Sequence, residues 1–408
     1  MTTSDMNGSG QSSASSNGAR TVLTARRLFD GARLLDDPVV VLEDGHIASI
    51  STRADAELPS NVRVFDLPGA TLAPAFFDVH FHGAAGHDVM QATPDALAAI
   101  GRFLASRGAG SYLATTVTAP LDATLRALNR LAKLIAQPTA EAQARPLGIH
   151  LEGPFLSHAR RGVQPAEYLL APDLAIFDRL FEASGGHMRL MTLAPELPGA
   201  IELTAHATGR GVRVSLGHSD ATAAQSRAAI AAGAVSATHT FNAMRPLDHR
   251  EPGILGAVLT SDELFAEFIC DGVHTAPAMA KLWWRAKGPE RAILVTDAMS
   301  ATGMPDGEYQ LGGFAVQVAD GRATARGVLA GSVLAPDRAL ANFVAFTGAP
   351  VEQALRLLTA NPAVMTGLEA QAGFLAPGRP AHLVAVSAEG HLAATFLHGL
   401  SVAGSFSC

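Results

Sequence analysis

The sequence predicts an α/β fold: a (β/α)8 TIM-like barrel with a small composite β-sandwich domain assembled from both termini. Three observations predict it. Apolar runs of four to seven residues alternate with Ala/Leu-rich helical stretches through the middle of the chain. Shorter alternating strands occupy the start and return at the end. Successive apolar runs end in His, Asp or Glu at the same point of the unit. Strands alternating with helices make a parallel sheet, and eight such units suggest a closed barrel. A doubly wound open sheet competes with the barrel, but no G-x-G-x-x-G follows the first strand.

The 408-residue chain is long enough for a large barrel plus an accessory domain. Residues 1–19 are Ser/Gly/Thr-rich with almost no apolar side chains, so a disordered tail is expected there. They lack the apolar core of a signal peptide. Residues 20–72 hold short strands, with Glu43-Asp44-Gly45 as a turn between two of them. A similar pattern at 381–399 places 20–72 and 373–408 in one composite β domain. The barrel then spans 73–372. Its strands are expected at 77–82, 111–116, 147–152, 189–194, 212–218, 235–239, 266–271 and 292–297. Helices are expected at 94–107, 121–136, 173–183, 198–208, 221–232, 254–260 and 277–287, with two more at 338–347 and 351–359. Residues 300–333 are Gly-rich and strand-like, an insertion after the eighth strand.

Composition excludes several classes. A net charge of −7 and a pI near 6.1 do not suggest a nucleic-acid surface. No apolar run approaches the roughly 20 residues of a membrane helix. Two cysteines, Cys270 and Cys408, make no disulfide framework, and the chain reads as a reduced, cytoplasmic protein.

In a barrel of this kind chemistry sits at the C-terminal tips of the strands. Those tips carry His80-Phe81-His82, Glu152, His218, His239, Asp271 with His274, and Asp297. A spacing of two puts His80 and His82 on one face of a strand, where both imidazoles can grip one cation. Neutral imidazole and carboxylate suit Zn²⁺ and its neighbours. A single histidine at a strand end is usually just hydrogen-bonded; recurrence at one end of successive units is what argues for a metal. His150 precedes Glu152 by two and is assigned to support the ligands rather than to bind. Only three lysines occur (Lys133, Lys281, Lys287), and none sits at a tip. Asp297 beside metal-activated water can act as general base and then general acid; the competing reading is a helix N-cap.

At this point whole motifs match a family. Asp78-Val-His-Phe-His-Gly83, His150-Leu-Glu-Gly-Pro-Phe155, Gly217-His-Ser-Asp-Ala-Thr222, Thr238-His-Thr-Phe-Asn-Ala-Met244, His249-Arg-Glu-Pro-Gly253, Asp271-Gly-Val-His274 and Val295-Thr-Asp-Ala298 resemble the N-acetylglucosamine-6-phosphate deacetylases of the amidohydrolase superfamily. The resemblance runs from about residue 20 to 400. It implies that Glu152, His218 and His239 hold the main divalent metal, with His80 and His82 available for a second and Glu152 bridging. Zinc is the first choice of metal; iron, cobalt and manganese are alternatives. The resemblance implies that Asn242 and Ala243 backbone N–H groups and Arg250 read a phosphate, with Arg250 coming from the partner of a homodimer, and that His274 contacts the substrate. Without the resemblance, Arg250 reads as half of a surface pair with Glu251.

The implied reaction is hydrolysis of N-acetyl-D-glucosamine 6-phosphate to D-glucosamine 6-phosphate and acetate. Three rivals stay open: the galacto epimer, another hydrolase or deaminase of the superfamily, and a non-catalytic sugar-phosphate binder. Three departures from the family's pattern stand out: Gln164 where the resemblance implies a substrate-contacting histidine, Ala75 where glycine is usual, and His382 where aspartate is usual.

Overall fold

The computed structural model describes residues 20–56 and 62–404. The expected tail and Cys408 lie outside them. Eight parallel strands make the barrel: β1 (Phe76–Phe81), β2 (Ala109–Thr115), β3 (Arg145–Glu152), β4 (Met188–Leu193), β5 (Arg213–Leu216), β6 (Ala234–Ala237), β7 (Phe265–Ile269) and β8 (Ala292–Val295). Each neighbours the next in the order β1 to β8. The ring closes just beyond the strand ends, where Asp297 N–H donates to the His80 carbonyl (2.9 Å) and His82 N–H to the Ala298 carbonyl (2.8 Å). The predicted α/β barrel is therefore what the chain forms.

The helices lie where the 3.6-residue apolar period put them. Thr93 caps Pro94–Ser106 through its side chain, with proline at the first position. Leu121–Ile135 turns Thr124, Ala127, Leu128, Leu131 and Ile135 inward. Pro277–Arg291 is broken at Gly288 (φ 60°) ahead of Pro289, close to its expected end. One helix was not expected, Ala360–Thr366, where Pro362 argues against a helix. Proline falls in its first turn, where a missing N–H costs nothing.

Several tips differ from expectation in one respect. His218, His239 and Asp297 lie beyond their strands rather than inside them, in left-handed backbone (φ 47°, 28° and 51°). Such geometry costs a non-glycine residue roughly 1–2 kcal/mol. It lets the chain leave the ladder abruptly while the side chain still faces the barrel axis.

Strands from both ends build one hydrogen-bonded sheet. Thr21–Phe29 pairs in parallel with Arg63–Pro74, which pairs antiparallel with Leu383–Val386. The hairpin Pro38–Thr52 and the hairpin Leu392–Gly404 form its two arms. All of these strands belong to one eight-stranded hydrogen-bonded sheet. Its arms share one core in which the Phe65 and Phe396 rings meet edge-on at 5.3 Å. The expected insertion is a four-stranded antiparallel sheet, Gly307–Leu311, Phe314–Ala319, Arg322–Ala325 and Val328–Leu329.

Beneath the tips runs a buried belt of hydroxyls. His150 Nε2 meets Thr192 Oγ1 (2.8 Å), Thr192 meets Thr238 Oγ1 (2.8 Å), and Thr238 donates to Ser215 Oγ (2.7 Å). This belt sets the spacing of β3 to β6. Gly217 fits against it closely: a Cβ there would lie 2.7 Å from Thr238 Cβ and 3.0 Å from Thr192 Cγ2. Gly217→Ala is therefore expected to destabilise the protein by about 1–3 kcal/mol through overpacking, measured by chemical denaturation. An unchanged midpoint would show that the belt yields.

Candidate metal centre

Glu152, the last residue of β3, is the centre of the site. Its Oε1 lies 3.1 Å from His218 Nε2, 3.2 Å from His239 Nε2 and 3.4 Å from His80 Nε2. Its Oε2 lies 3.4 Å from His82 Nε2. Asp297 Oδ1 stands 3.0 Å from His82 Nε2 and 3.5 Å from His80 Nε2. All six side chains are buried or nearly so. The structure thus brings together the five sequence-predicted ligands and Asp297.

Three of the four histidines are held from behind. His82 Nδ1 donates to the Thr115 carbonyl (3.0 Å) and His218 Nδ1 to the Arg160 carbonyl (3.1 Å), because a carbonyl can only accept. His80 Nδ1 faces Glu267 Oε2 at 3.1 Å. These bonds leave Nε2 lone pairs directed at the centre. His218 Nε2 and His239 Nε2 approach within 3.1 Å of each other. His80 Nε2 has no hydrogen-bond partner, although it is buried. Converging acceptors around a buried carboxylate need positive charge between them. Two overlapping sets, His80-His82-Asp297 and His80-Glu152-His239, place their ligand atoms within 4.8 Å of one another. The residues therefore fit one or two divalent cations, and the N/O donor set suits a borderline metal.

The electrostatics agree. Burial pushes Glu152 up, yet the histidines packed around it, His80 first among them, hold it well below the usual carboxylate range. Burial opposes ionisation of Asp297 too, but His80 and His82 bring it down to about 2. Both carboxylates stay ionised, as ligands and bases must. His150 is the opposite case. Burial and the neighbouring His80 hold it well below its ordinary value, so it sits neutral in the hydroxyl belt.

The remaining predicted residues divide. Gln164, Asn242, Ala243 and His274 line a cavity of about 210 Å³ with Glu152, His218, His239 and Asp297. Gln164 Nε2 donates to Glu152 Oε2 (2.9 Å), and its Oε1 accepts from Thr118 N–H (2.8 Å). Its contact in this structure is thus the central carboxylate. Asn242 N–H already donates to the His239 carbonyl (3.0 Å), while Ala243 turns through left-handed backbone (φ 50°). His274 Nδ1 bonds Asp271 Oδ2 at 2.6 Å; burial disfavours its charge, but Asp271 outweighs burial and raises it. Arg250 is not brought in. It is exposed on the 245–252 loop, outside the residues lining the cavity.

Two features escaped the sequence reading. Glu267 lies in the middle of β7, fully buried, and is the residue behind His80. An acid inside the apolar run Phe-Ala-Glu-Phe-Ile was the available signal. The insertion is the second: its Leu311, Val328, Leu329 and Gly331 form a wall of the cavity. Size does not pick out this cavity, since hollows of about 620 and 510 Å³ lie elsewhere. Chemistry does.

With this geometry in hand, the comparisons with known proteins are specific. A model of the Amidohydrolase family matches residues 71–402. The chain belongs to that family. Among its relatives, an N-acetylgalactosamine-6-phosphate deacetylase of Escherichia coli O157:H7 is 41% identical over 93% of this chain and 98% of its own length. An N-acetylglucosamine-6-phosphate deacetylase of Vibrio furnissii is 36% identical over 92% of this chain and 93% of its own. Among solved structures, a variant N-acetyl-D-glucosamine-6-phosphate deacetylase of Mycobacterium smegmatis, in complex with N-acetyl-D-glucosamine-6-phosphate, superposes with a TM-score of 0.87. It is 35% identical and covers 95% of this chain and 100% of that one.

Removal of Glu267 tests how this amidohydrolase orients His80. Partners behind a metal-binding imidazole are typically worth 10–100-fold in affinity. Glu267→Ala is expected to weaken metal binding by about that factor, and Glu267→Gln by less, read by chelator competition. Equal retention in wild type and both variants would contradict it.

Proposed function

We propose that this amidohydrolase removes the acetyl group of an N-acetylhexosamine 6-phosphate. The substrate is N-acetyl-D-glucosamine 6-phosphate; the products are D-glucosamine 6-phosphate and acetate, as amino-sugar catabolism and cell-wall recycling require. The observation that carries the reading is Asp297: an ionised carboxylate facing two histidines of a metal-type cluster at the mouth of the barrel. The galacto epimer is the second reading. One specific finding favours it, the 41% identity to an N-acetylgalactosamine-6-phosphate deacetylase.

The cluster Glu152, His218, His239, His80 and His82 would hold one or two divalent ions, zinc before iron, cobalt or manganese. Such an ion supplies Lewis acidity at the acetyl carbonyl and brings the pKa of water toward neutrality. Asp297 accepts the proton of the attacking water as the new C–O bond forms. It then delivers that proton to the amide nitrogen as the C–N bond breaks, so base and acid are one residue. His274, charged by Asp271, donates toward the carbonyl oxygen. Gln164 holds Glu152 in one orientation. Asn242 and Ala243 face the sugar phosphate. In a cytoplasmic homodimer Arg250 reaches the partner's phosphate, where its forked donors suit the oxygens.

Acetate release from the two epimeric substrates, measured beside metal content, is the decisive assay. Release from neither epimer by metal-replete protein would sink the proposal; the faster epimer names the substrate. Asp297→Asn should lose about 10²–10⁴-fold in kcat while still binding the sugar phosphate, the usual range for a proton-transfer residue.

A further inference from the structure

A second cleft lies at the opposite end of the barrel. Its volume is about 510 Å³, and it is walled by the starts of β2 and β3, by the turn before β3, and by the sheet built from both ends of the chain. Arg145 and Glu152 mark the two ends of β3, so the cleft and the metal centre stand about 20–25 Å apart at roughly 3.3 Å per residue. The two sites share no lining residue.

The cleft is positively charged in a chain whose net charge is −7. Arg145, Arg379, His382 and His398 line it, and among the described residues no Asp or Glu does. Arg145 is exposed and forms no ion pair among the described residues. Arg379 Nη1 is steadied by the carbonyls of Glu369 (2.8 Å) and Phe374 (3.3 Å), which orient the guanidinium without neutralising it. The His382 and His398 rings meet edge-on at 4.4 Å. His382 Nδ1 accepts from His398 N–H at 3.4 Å, which leaves the proton of the neutral ring on Nε2. His398 holds left-handed backbone (φ 48°) in a two-residue turn with Gly399 (φ 73°), a place where Asn or Gly is favoured.

The field inside the cleft is correspondingly one-sided. Burial, followed by the like charges of His398, His46 and Arg145, brings His382 down to about 4. Glu141 is a carboxylate that acts on His398, and it lies outside the lining. Ser111, Gln137 and Gln143 add uncharged hydrogen-bonding side chains to the wall. A volume in the small-molecule range, unpaired guanidinium groups and neutral polar donors together describe an anion site with room for hydroxyls.

We propose that this cleft binds a phosphomonoester dianion, remote from the metal centre. Arg145 and Arg379 supply the charge and His382 a neutral donor. A phosphorylated sugar and free phosphate present the same head group, and the glutamine and serine side chains favour the sugar.

Calorimetric titration of the metal-loaded protein tests it, with inorganic phosphate in one arm and glucose 6-phosphate in the other. Wild type should bind one equivalent of phosphate more than Arg145→Ala, or bind it at least about tenfold more tightly at that site, the scale of one charge-assisted hydrogen bond. His382→Asp, which places a carboxylate in the cleft lining, should abolish the extra equivalent by charge repulsion. Deacetylase kinetics should be unchanged in both variants, since neither residue touches the metal centre. Tighter binding of glucose 6-phosphate at the extra site identifies a sugar phosphate; equal binding identifies phosphate alone. Identical stoichiometry and affinity in wild type and both variants would overturn the site.

Discussion

The structure depends on one carboxylate. Glu152 takes four imidazole nitrogens within 3.4 Å, and a fifth neighbour, Gln164, bonds its Oε2. Three of the four imidazoles are bonded from behind, while His239 Nδ1 has no partner among the described residues. His82 and His218 are fixed by backbone carbonyls, so their lone pairs face inward whether or not that suits the centre. An arrangement of inward lone pairs around a buried anion opposes folding unless a cation repays it. Metal binding and stability are therefore one quantity here, and the barrel carries the cost in its other layers.

The left-handed residues show how the cost is distributed. His218, His239 and Asp297 each occupy backbone that a side chain rarely adopts. Three such residues at the ends of β5, β6 and β8 would be unstable on a loose scaffold. They persist because the belt of His150, Thr192, Thr238 and Ser215 locks β3 to β6 from below, while the Asp297–His80 and His82–Ala298 bonds lock β8 to β1. The ring closes at the ligands themselves, so a shift of any tip moves both the barrel seam and the metal centre.

Much of this was legible in the chain, and the reason is register. A parallel barrel strand is buried on both faces, so a His or Asp at its tip stands out against an apolar run. His80, His82, Glu152, His218, His239 and Asp297 could all be read that way. Glu267 could not, because it lies within its strand and carries no positional signal beyond its charge. The cavity wall at Leu311, Val328 and Leu329 was invisible for another reason. Gly-rich hairpins reveal strands but not what they fold over. Arg250 could be named from its motif, but its exposure in the single chain depends on a surface that local pattern does not encode.

Gln164 is where the chain's own pattern matters most. A histidine beside Glu152 could donate, accept or carry charge, and would add one more titrating ring to a cluster already crowded with them. Glutamine cannot change state. Its Oε1 is committed to Thr118 N–H, which forces its Nε2 toward Glu152 Oε2. That bond ties down one carboxylate oxygen with a neutral donor and leaves Oε1 as the oxygen shared by His80, His218 and His239. The two oxygens of Glu152 are thereby made unequal. One belongs to the three-histidine cluster, and the other is divided between an amide and His82. A cation between His80, His82 and Asp297 must compete with Gln164 for Oε2, whereas one at His218 and His239 meets no such competitor. On the proposed function, the sequence departure at residue 164 would rank the two halves of the centre, with the His218 and His239 half the stronger.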